Sequence, residues 1–387
     1  MKILFVNAIG FLGGAEKWIV NLTRRLVPRG HAIEVAHDPR SPLGELARGA
    51  GAEAWVPRGR FRGAARAARA LAGEIRERGV DVVVSTTRTD LKIAGFAARM
   101  AGHPGVVARL NSGWNPAEPV VTSGWSWRRH RWYHRHLVQL AATNSRAGKS
   151  DVVARDYLPP DRVFPIYNGV DFSRFDPDRI ERGAFRCRLG IAPEAPLVVS
   201  ISRYVERKGQ EFEVEAAGRL TEARPDLHVA FLGPCRERER PFKERLVARA
   251  SLFPGRERIH FLDARDDIPQ VLADADVLMR AALTEGLPNV ALEAMAMRVP
   301  VVATAICGTP EAVLDGRTGR LVPAGDDRAI AAAVDEFLDL SPEGRAALGR
   351  AGRAHVLEHF TLERMTDAYE ELFERALAER RDGKDSP

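Results

Sequence analysis

Short apolar, β-branched runs alternate with longer Ala-, Leu- and Arg-rich stretches along this chain, and the alternation starts afresh near its middle. Ile3–Asn7, Ala32–Ala36, Val82–Thr86, Val106–Leu110 and Val163–Tyr167 have the length and composition of strands, with helical stretches such as Ala15–Val27 between them. The pattern resumes at Leu197–Ile201 and runs on through Val229–Leu232, Ile259–Leu262, Val277–Met279 and Val299–Ala303. Strands that are apolar without polar alternation belong in parallel sheets covered on both faces. The expected fold class is therefore α/β, with two Rossmann-like, doubly wound parallel-sheet domains. A chain of 387 residues is also too long for one ordinary core.

The boundary falls in Asn168–Glu194, where Asn-Gly-Val-Asp and then Asp176-Pro-Asp178 interrupt both periodicities. We expect a first domain over residues 1–175 and a second over 176–357. A C-terminal helix over 358–380 should pack back on the first domain, because Leu362, Met365, Tyr369, Leu372, Phe373, Ala376 and Leu377 form a stripe at i, i+3, i+4 spacing. Ligands of open parallel sheets sit beyond the carboxyl ends of the strands, so the expected binding place is a cleft faced by both domains.

Composition narrows the function classes. No window approaches the roughly 20 apolar residues of a membrane span, and Met1 leads straight into a strand without a secretory leader. The expected localisation is cytoplasmic, with a peripheral position on the inner face of the cytoplasmic membrane allowed by the charge. Residues 1–180 carry 28 Lys and Arg against 16 Asp and Glu, while the remainder carries 30 against 36. Such a basic front half attracts anionic phospholipid or glycolipid surfaces; an Arg-rich composition explains the same numbers. Nucleic-acid binding would rest on charge alone and is not assigned. Cys187, Cys235 and Cys307 form neither a CxxC clip nor a disulfide framework and read as packing residues.

Trp114–His136 holds four of the six tryptophans, Trp114, Trp125, Trp127 and Trp132, interleaved with Arg128, Arg129, Arg131 and Arg135. That mixture suits a headgroup interface or a sugar platform, and it equally suits ordinary packing beneath solvated charge. Its histidines lack a carboxylate or cysteine partner at ligand spacing, so no metal site is assigned.

The densest chemical signal is Thr284-Glu-Gly-Leu-Pro-Asn-Val-Ala-Leu-Glu-Ala-Met-Ala296. A strand ends, a Gly/Pro turn follows, and Asn289 is placed to cap the next helix. The backbone N–H groups over Gly286, Leu287, Pro288, Asn289 and Val290 then frame an anion site at a helix start, proline itself having no N–H to give. Glu293 lies one turn into that helix and leans back toward its start, where it can accept hydrogen bonds from a ribose diol. Glu285 can face a sugar. At the front, Gly13 and Gly14 open a helix after the first strand and let N–H groups approach an anion or a sugar.

The Glu285-x7-Glu293 element within Glu-Gly-Leu-Pro-Asn-Val resembles the signature of retaining glycosyltransferases of family 4, which have the GT-B fold. Arg203 and Lys208-Gly209 are similar to that family's diphosphate-holding cations, and Asn168–Asp171 and Gly308–Glu311 also look like family features, read here as structural. The resemblance implies transfer of a sugar from a nucleoside-diphosphate sugar, UDP favoured, with retention and without a metal or other cofactor. The acceptor would be a glycolipid, lipopolysaccharide or other cell-surface glycan, held by the first domain, with the donor on the second. Gly13 and Gly14 would lie across the cleft from Glu285. Asn111 stands where many relatives have a His before Gly; it can donate a hydrogen bond but cannot act as a base. Arg280-Ala-Ala stands where a Pro-Ser pair is common. Two other readings stay open: a nucleotide-sugar 2-epimerase of related fold, and a catalytically silent nucleotide-sugar-binding protein. An NAD enzyme is disfavoured, since the first βα turn lacks GxGxxG.

Overall fold

The computed structural model describes residues 1–10, 13–61, 63–103, 105–110 and 122–382. Asn111 and Trp114 lie outside the described residues. The chain divides into two units: one comprises the described residues up to Gly169 together with the chain from Leu362, the other Val170–Thr361.

The first unit is built on a seven-stranded parallel sheet. Its strands are β1 (Lys2–Asn7), β2 (Ala32–His37), β3 (Glu53–Trp55), β4 (Val82–Ser85), β5 (Val106–Arg109), β6 (Val138–Thr143) and β7 (Val163–Pro165), in the order β3-β2-β1-β4-β5-β6-β7. Successive side chains of a strand point to opposite faces, and β1 shows the consequence. Ile3 and Phe5 join one core with Trp18, Ile19 and Leu22, while Leu4 and Val6 join another with Leu71, Val83 and Ala94. Both faces are covered, which is why the strand is apolar throughout.

The C-terminal helix Leu362–Asp382 belongs to this unit. Tyr369 and Phe373, both buried, reach the β1 face: the Tyr369 and Trp18 rings lie 4.9 Å apart and those of Phe373 and Phe5 6.3 Å apart. Leu362, Met365, Leu372 and Ala376 are buried with them.

The second unit has six parallel strands: β8 (Leu197–Ile201), β9 (His228–Leu232), β10 (Ile259–Leu262), β11 (Val277–Arg280), β12 (Val301–Thr304) and β13 (Gly319–Val322), ordered β10-β9-β8-β11-β12-β13. In each sheet the order reverses once, between β1 and β4 and between β8 and β11. That reversal opens a crevice beyond the strand ends, where doubly wound sheets receive their ligands.

Three strands escape the periodicity: β3, β6 and β13. In β6, Val-Gln-Leu-Ala-Ala-Thr, four of six residues are alanine or polar, and it follows the helix Gly124–Leu137 with no Gly or Pro between, so neither composition nor a turn signal marks it. Among the cysteines, Cys187 is exposed, which corrects its reading as a packing residue; Cys235 and Cys307 are half-buried, and none of the three is in a disulfide. No helix among the described residues is long and apolar enough to cross a membrane.

Candidate functional site

The reversal between β8 and β11 gathers the charged residues of the second unit. Past the end of β8, Tyr204 anchors the chain, its buried hydroxyl donating to Phe231 O at 2.9 Å and to Leu262 O at 3.0 Å. Beside it, Arg203 is partly exposed and Nε lies 3.6 Å from Glu239 Oε1. Burial holds its guanidinium below the ordinary arginine range. A short turn, Glu206–Lys208, then ends at Gly209, which adopts a φ of +68°. A Cβ there would sit 1.8 Å from Ala281 O, so only glycine lets this turn lie against the chain leaving β11.

Lys208 is thereby placed beside Glu285. Its Nζ is 2.5 Å from Glu285 Oε2, and the two side chains are only 12% and 16% exposed. Arg280, the last residue of β11 and 3% exposed, donates from Nη2 to the same oxygen at 3.0 Å. Burial depresses the Lys208 ammonium to about 8, the repulsion of Arg280 and Arg207 adding to it against the attraction of Glu285. For Glu285, burial alone would raise the carboxyl; Lys208 and Arg280 outweigh it and hold the group below the ordinary carboxylate range. Beneath this pair Glu213 is fully buried and accepts from Ser200 Oγ at 2.6 Å and from Ala281 N at 2.6 Å. Desolvation pushes its carboxyl up, opposed by Arg280 and the two hydrogen bonds.

The loop that carries Glu285 is fixed from both ends. Leu283 N and Thr284 N donate to Arg207 O at 3.0 and 3.3 Å, and Gly308 N donates to Gly286 O at 3.0 Å. The helix Asn289–Ala296 follows, with Pro288 as its cap and Asn289 already inside it, which corrects the expected cap by one residue. The Pro288 carbonyl accepts from both Ala291 N and Leu292 N, at 3.0 and 3.2 Å. Leu287 and Pro288 are buried, Gly286, Val290 and Glu293 half-buried, and Asn289 exposed.

The structure therefore brings Lys208 and Glu285 together, while the partner it gives Arg203 is Glu239. Sequence reasoning noted Arg280 only as a departure from a common pattern and missed its place beside Glu285. A charged residue closing the otherwise apolar Val-Leu-Met run was the available signal, because an arginine at a buried strand end needs a counter-ion.

In the first unit the turn after β1 rests on a buried polar network. Glu16 accepts from Asn7 Nδ2 at 2.7 Å and from Gly13 N at 2.7 Å, so that N–H is already used by a carboxylate three residues on. The Gly13 N–H is thereby engaged within its own turn. Among the described residues, nothing lies within 4 Å of a Cβ built at Gly14. Asp90, fully buried, accepts from Ala8 N at 2.7 Å and from Thr86 and Thr87 hydroxyls at 3.0 and 2.8 Å. Burial pushes its carboxyl up to about 6 against those bonds.

The helix Gly124–Leu137 carries the described part of the Trp/Arg segment. Trp127 is tied down by a 2.8 Å bond to Arg155 O, whereas Trp125 is 74% and Trp132 47% exposed. Phe96 of the helix Arg88–Met100, itself exposed, lies with its ring 6.1 Å from Trp132.

Doubly wound α/β domains receive their ligands where the strand order reverses, and in this unit that place gathers two cations and a carboxylate. The chain matches the family of glycosyl transferases group 1 over residues 181–355 and that of Glycosyltransferase Family 4 over residues 12–174. It is 32% identical over 314 residues to the GDP-mannose-dependent monoacylated alpha-(1-6)-phosphatidylinositol monomannoside mannosyltransferase of Corynebacterium glutamicum, covering 77% of each chain. To the GDP-mannose-dependent alpha-(1-6)-phosphatidylinositol monomannoside mannosyltransferase of Mycolicibacterium smegmatis it is 38% identical over 216 residues. That match spans 54% of this chain and about half, 53%, of the relative's length. In fold it is similar to Anabaena HepE in complex with UDP and glucose, with a TM-score of 0.84 and 22% identity over 97% of this chain and 100% of the other. A glycosyltransferase from Rickettsia africae gives 0.85 and 20% identity over 97% and 98%. The chain belongs to the family 4 glycosyltransferases, with the two parallel-sheet units of the GT-B fold.

Proposed function

We propose that the chain is a retaining glycosyltransferase that moves mannose from GDP-mannose to a glycolipid acceptor without a metal. The observation that carries this is the placement of Lys208 and Arg280 around Glu285 where the second sheet reverses, with Arg203 at the end of the neighbouring strand. Cations at that place, with the N–H groups of the turn Gly286–Asn289 and the helix after it, can take up the charge of a leaving diphosphate, the work a divalent ion does elsewhere. Glu285 is the group for the hydroxyls of the sugar, and Glu293 for those of the ribose. The leaving diphosphate then takes the acceptor proton on the face it departs from, which gives retention without a protein nucleophile.

GDP-mannose is preferred to the UDP sugar expected from the sequence because the two relatives described above bear that donor in their names. The same names include a phosphatidylinositol monomannoside, which supports an anionic phosphatidylinositol mannoside as the acceptor here. The basic first unit, with Trp125 and Trp132 exposed on one helix, suits a protein that works at an anionic membrane surface on the cytoplasmic side.

Incubating the chain with GDP-mannose or UDP-glucose and phosphatidylinositol mannoside, with and without EDTA, tests the reading. Mannosylated lipid with the anomeric configuration kept, formed equally in EDTA, is the expected product. Free sugar released without acceptor would instead indicate the 2-epimerase, and donor binding with no turnover on any acceptor the silent binder. Loss of activity in EDTA, restored by a divalent ion, would overturn metal independence.

A further inference from the structure

Resting on the donor reading above, we propose that Arg280 is a positioning residue: it keeps Glu285 neutralised and in place while Lys208 passes from Glu285 to the diphosphate of the donor. The geometry sets the problem. One oxygen, Glu285 Oε2, accepts from both Lys208 Nζ at 2.5 Å and Arg280 Nη2 at 3.0 Å. While Lys208 serves Glu285, its charge is spent on a carboxylate and is not available to a phosphate. If Lys208 were the sole counter-ion, binding a diphosphate would strand a buried carboxylate, which is costly.

Arg280 removes that cost. Its guanidinium is 3% exposed, its Nη1 reaches Lys208 O at 3.4 Å and stands 4.0 Å from Glu213 Oε1, and its next residue is held by Ala281 N donating to Glu213 at 2.6 Å. A planar fork fixed in this way stays put, whereas Lys208 has a flexible four-carbon stem and three rotatable donors. Of the two cations, the lysine is the one able to move. Glu285 then remains an anion paired with Arg280, still aimed where the sugar hydroxyls arrive, while the diphosphate receives a full positive charge. The close approach at Gly209 places the lysine carbonyl under the same guanidinium, so the handover needs only side-chain rotation.

The test is calorimetric titration of the full chain with GDP, and with UDP, in four forms: wild type, Arg280→Ala, Glu285→Gln, and the double variant. Arg280→Ala is expected to weaken nucleotide binding about ten- to hundredfold, because Lys208 is then held by Glu285. Adding Glu285→Gln should bring the affinity back to within about threefold of wild type, since no anion is left to hold the lysine. If Arg280→Ala does not fold, Arg280→Met fills the volume without the charge and carries the same expectations. Unchanged affinity in the arginine variant overturns the proposal. So does a double variant as weak as the single one, which would mean that Arg280 only packs the site. A wild type that binds neither GDP nor UDP would sink the donor reading, and this inference with it; a binding wild type with an indifferent Arg280→Ala sinks this inference alone.

Discussion

Lys208 and Glu285, 77 residues apart in the chain, share a 2.5 Å ion pair across the place where the second sheet reverses its order. The pair is nearly buried, so each charge depends on the other and on Arg280. Whatever anion the unit binds has to compete with Glu285 for the lysine.

Neutralising Arg203 and Lys208, the cations proposed to face the diphosphate, should therefore abolish donor binding. Arg203→Ala or Lys208→Ala is expected to lower kcat/KM for GDP-mannose by about 10², and the double variant should bring GDP affinity below detection in a calorimetric titration. Wild-type affinity in that double variant would remove the basis of the donor assignment.

The lysine also sets a pH dependence. Its ammonium is held at about 8 by burial and neighbouring cations, so it is charged below that pH and loses its proton above it. A bound diphosphate favours the charged form, and binding then takes up a proton. GDP affinity should be flat near pH 7 and fall up to about tenfold per pH unit above 8. Lys208→Arg, with a charge that does not titrate in this range, should flatten the alkaline limb of the same titration.

Gly209 and Gly190 make a matched pair. Both have positive φ, +68° and +67°, but a Cβ on Gly209 would strike Ala281 O at 1.8 Å and one on Gly190 meets nothing within 4 Å among the described residues. Gly190→Ala should cost only the backbone term of about 1 kcal/mol. Gly209→Ala should cost about 3 kcal/mol or more and weaken GDP binding as well. Urea denaturation of the two variants checks the contrast; equal losses would contradict it.

In the first unit, Asp90 is a buried carboxyl raised to about 6. A carboxyl raised on folding is protonated in the folded chain while the unfolded chain has already lost its proton. Its contribution is therefore fully present only below about pH 4 and is lost as pH rises through 6, by up to about 3 kcal/mol. Asp90→Asn should flatten this part of the stability profile, measured by denaturant midpoints from pH 4.5 to 7.

If the exposed aromatic rings meet a membrane, their loss should release the protein from it. Trp125→Ala with Trp132→Ala is expected to reduce sedimentation with vesicles containing phosphatidylinositol by about tenfold, leaving GDP affinity unchanged. Equal sedimentation of variant and wild type would confine this helix to packing.

Much of the fold was legible because it follows from local patterning. Continuous apolar runs such as Ile3–Val6 specify two-sided burial, and the stripe from Leu362 to Phe373 specifies a helix with one buried face. The weak strands, β6 above all, were not legible: pairing with β5 and β7 makes Val138–Thr143 a strand, against its Ala-rich composition.

The sequence by itself determined that the chain has two doubly wound halves and that Lys208, Glu285 and Glu293 lie at strand ends and a helix start, since these depend on periodicity and turn residues close to one another. Only the tertiary structure decided that Lys208 and Arg280 converge on one oxygen of Glu285 and that Glu213 supports them from below. Those pairings depend on which strands become neighbours and which side chains lose their water. Both are settled when β8 comes to lie beside β11, a long-range event that no local pattern encodes.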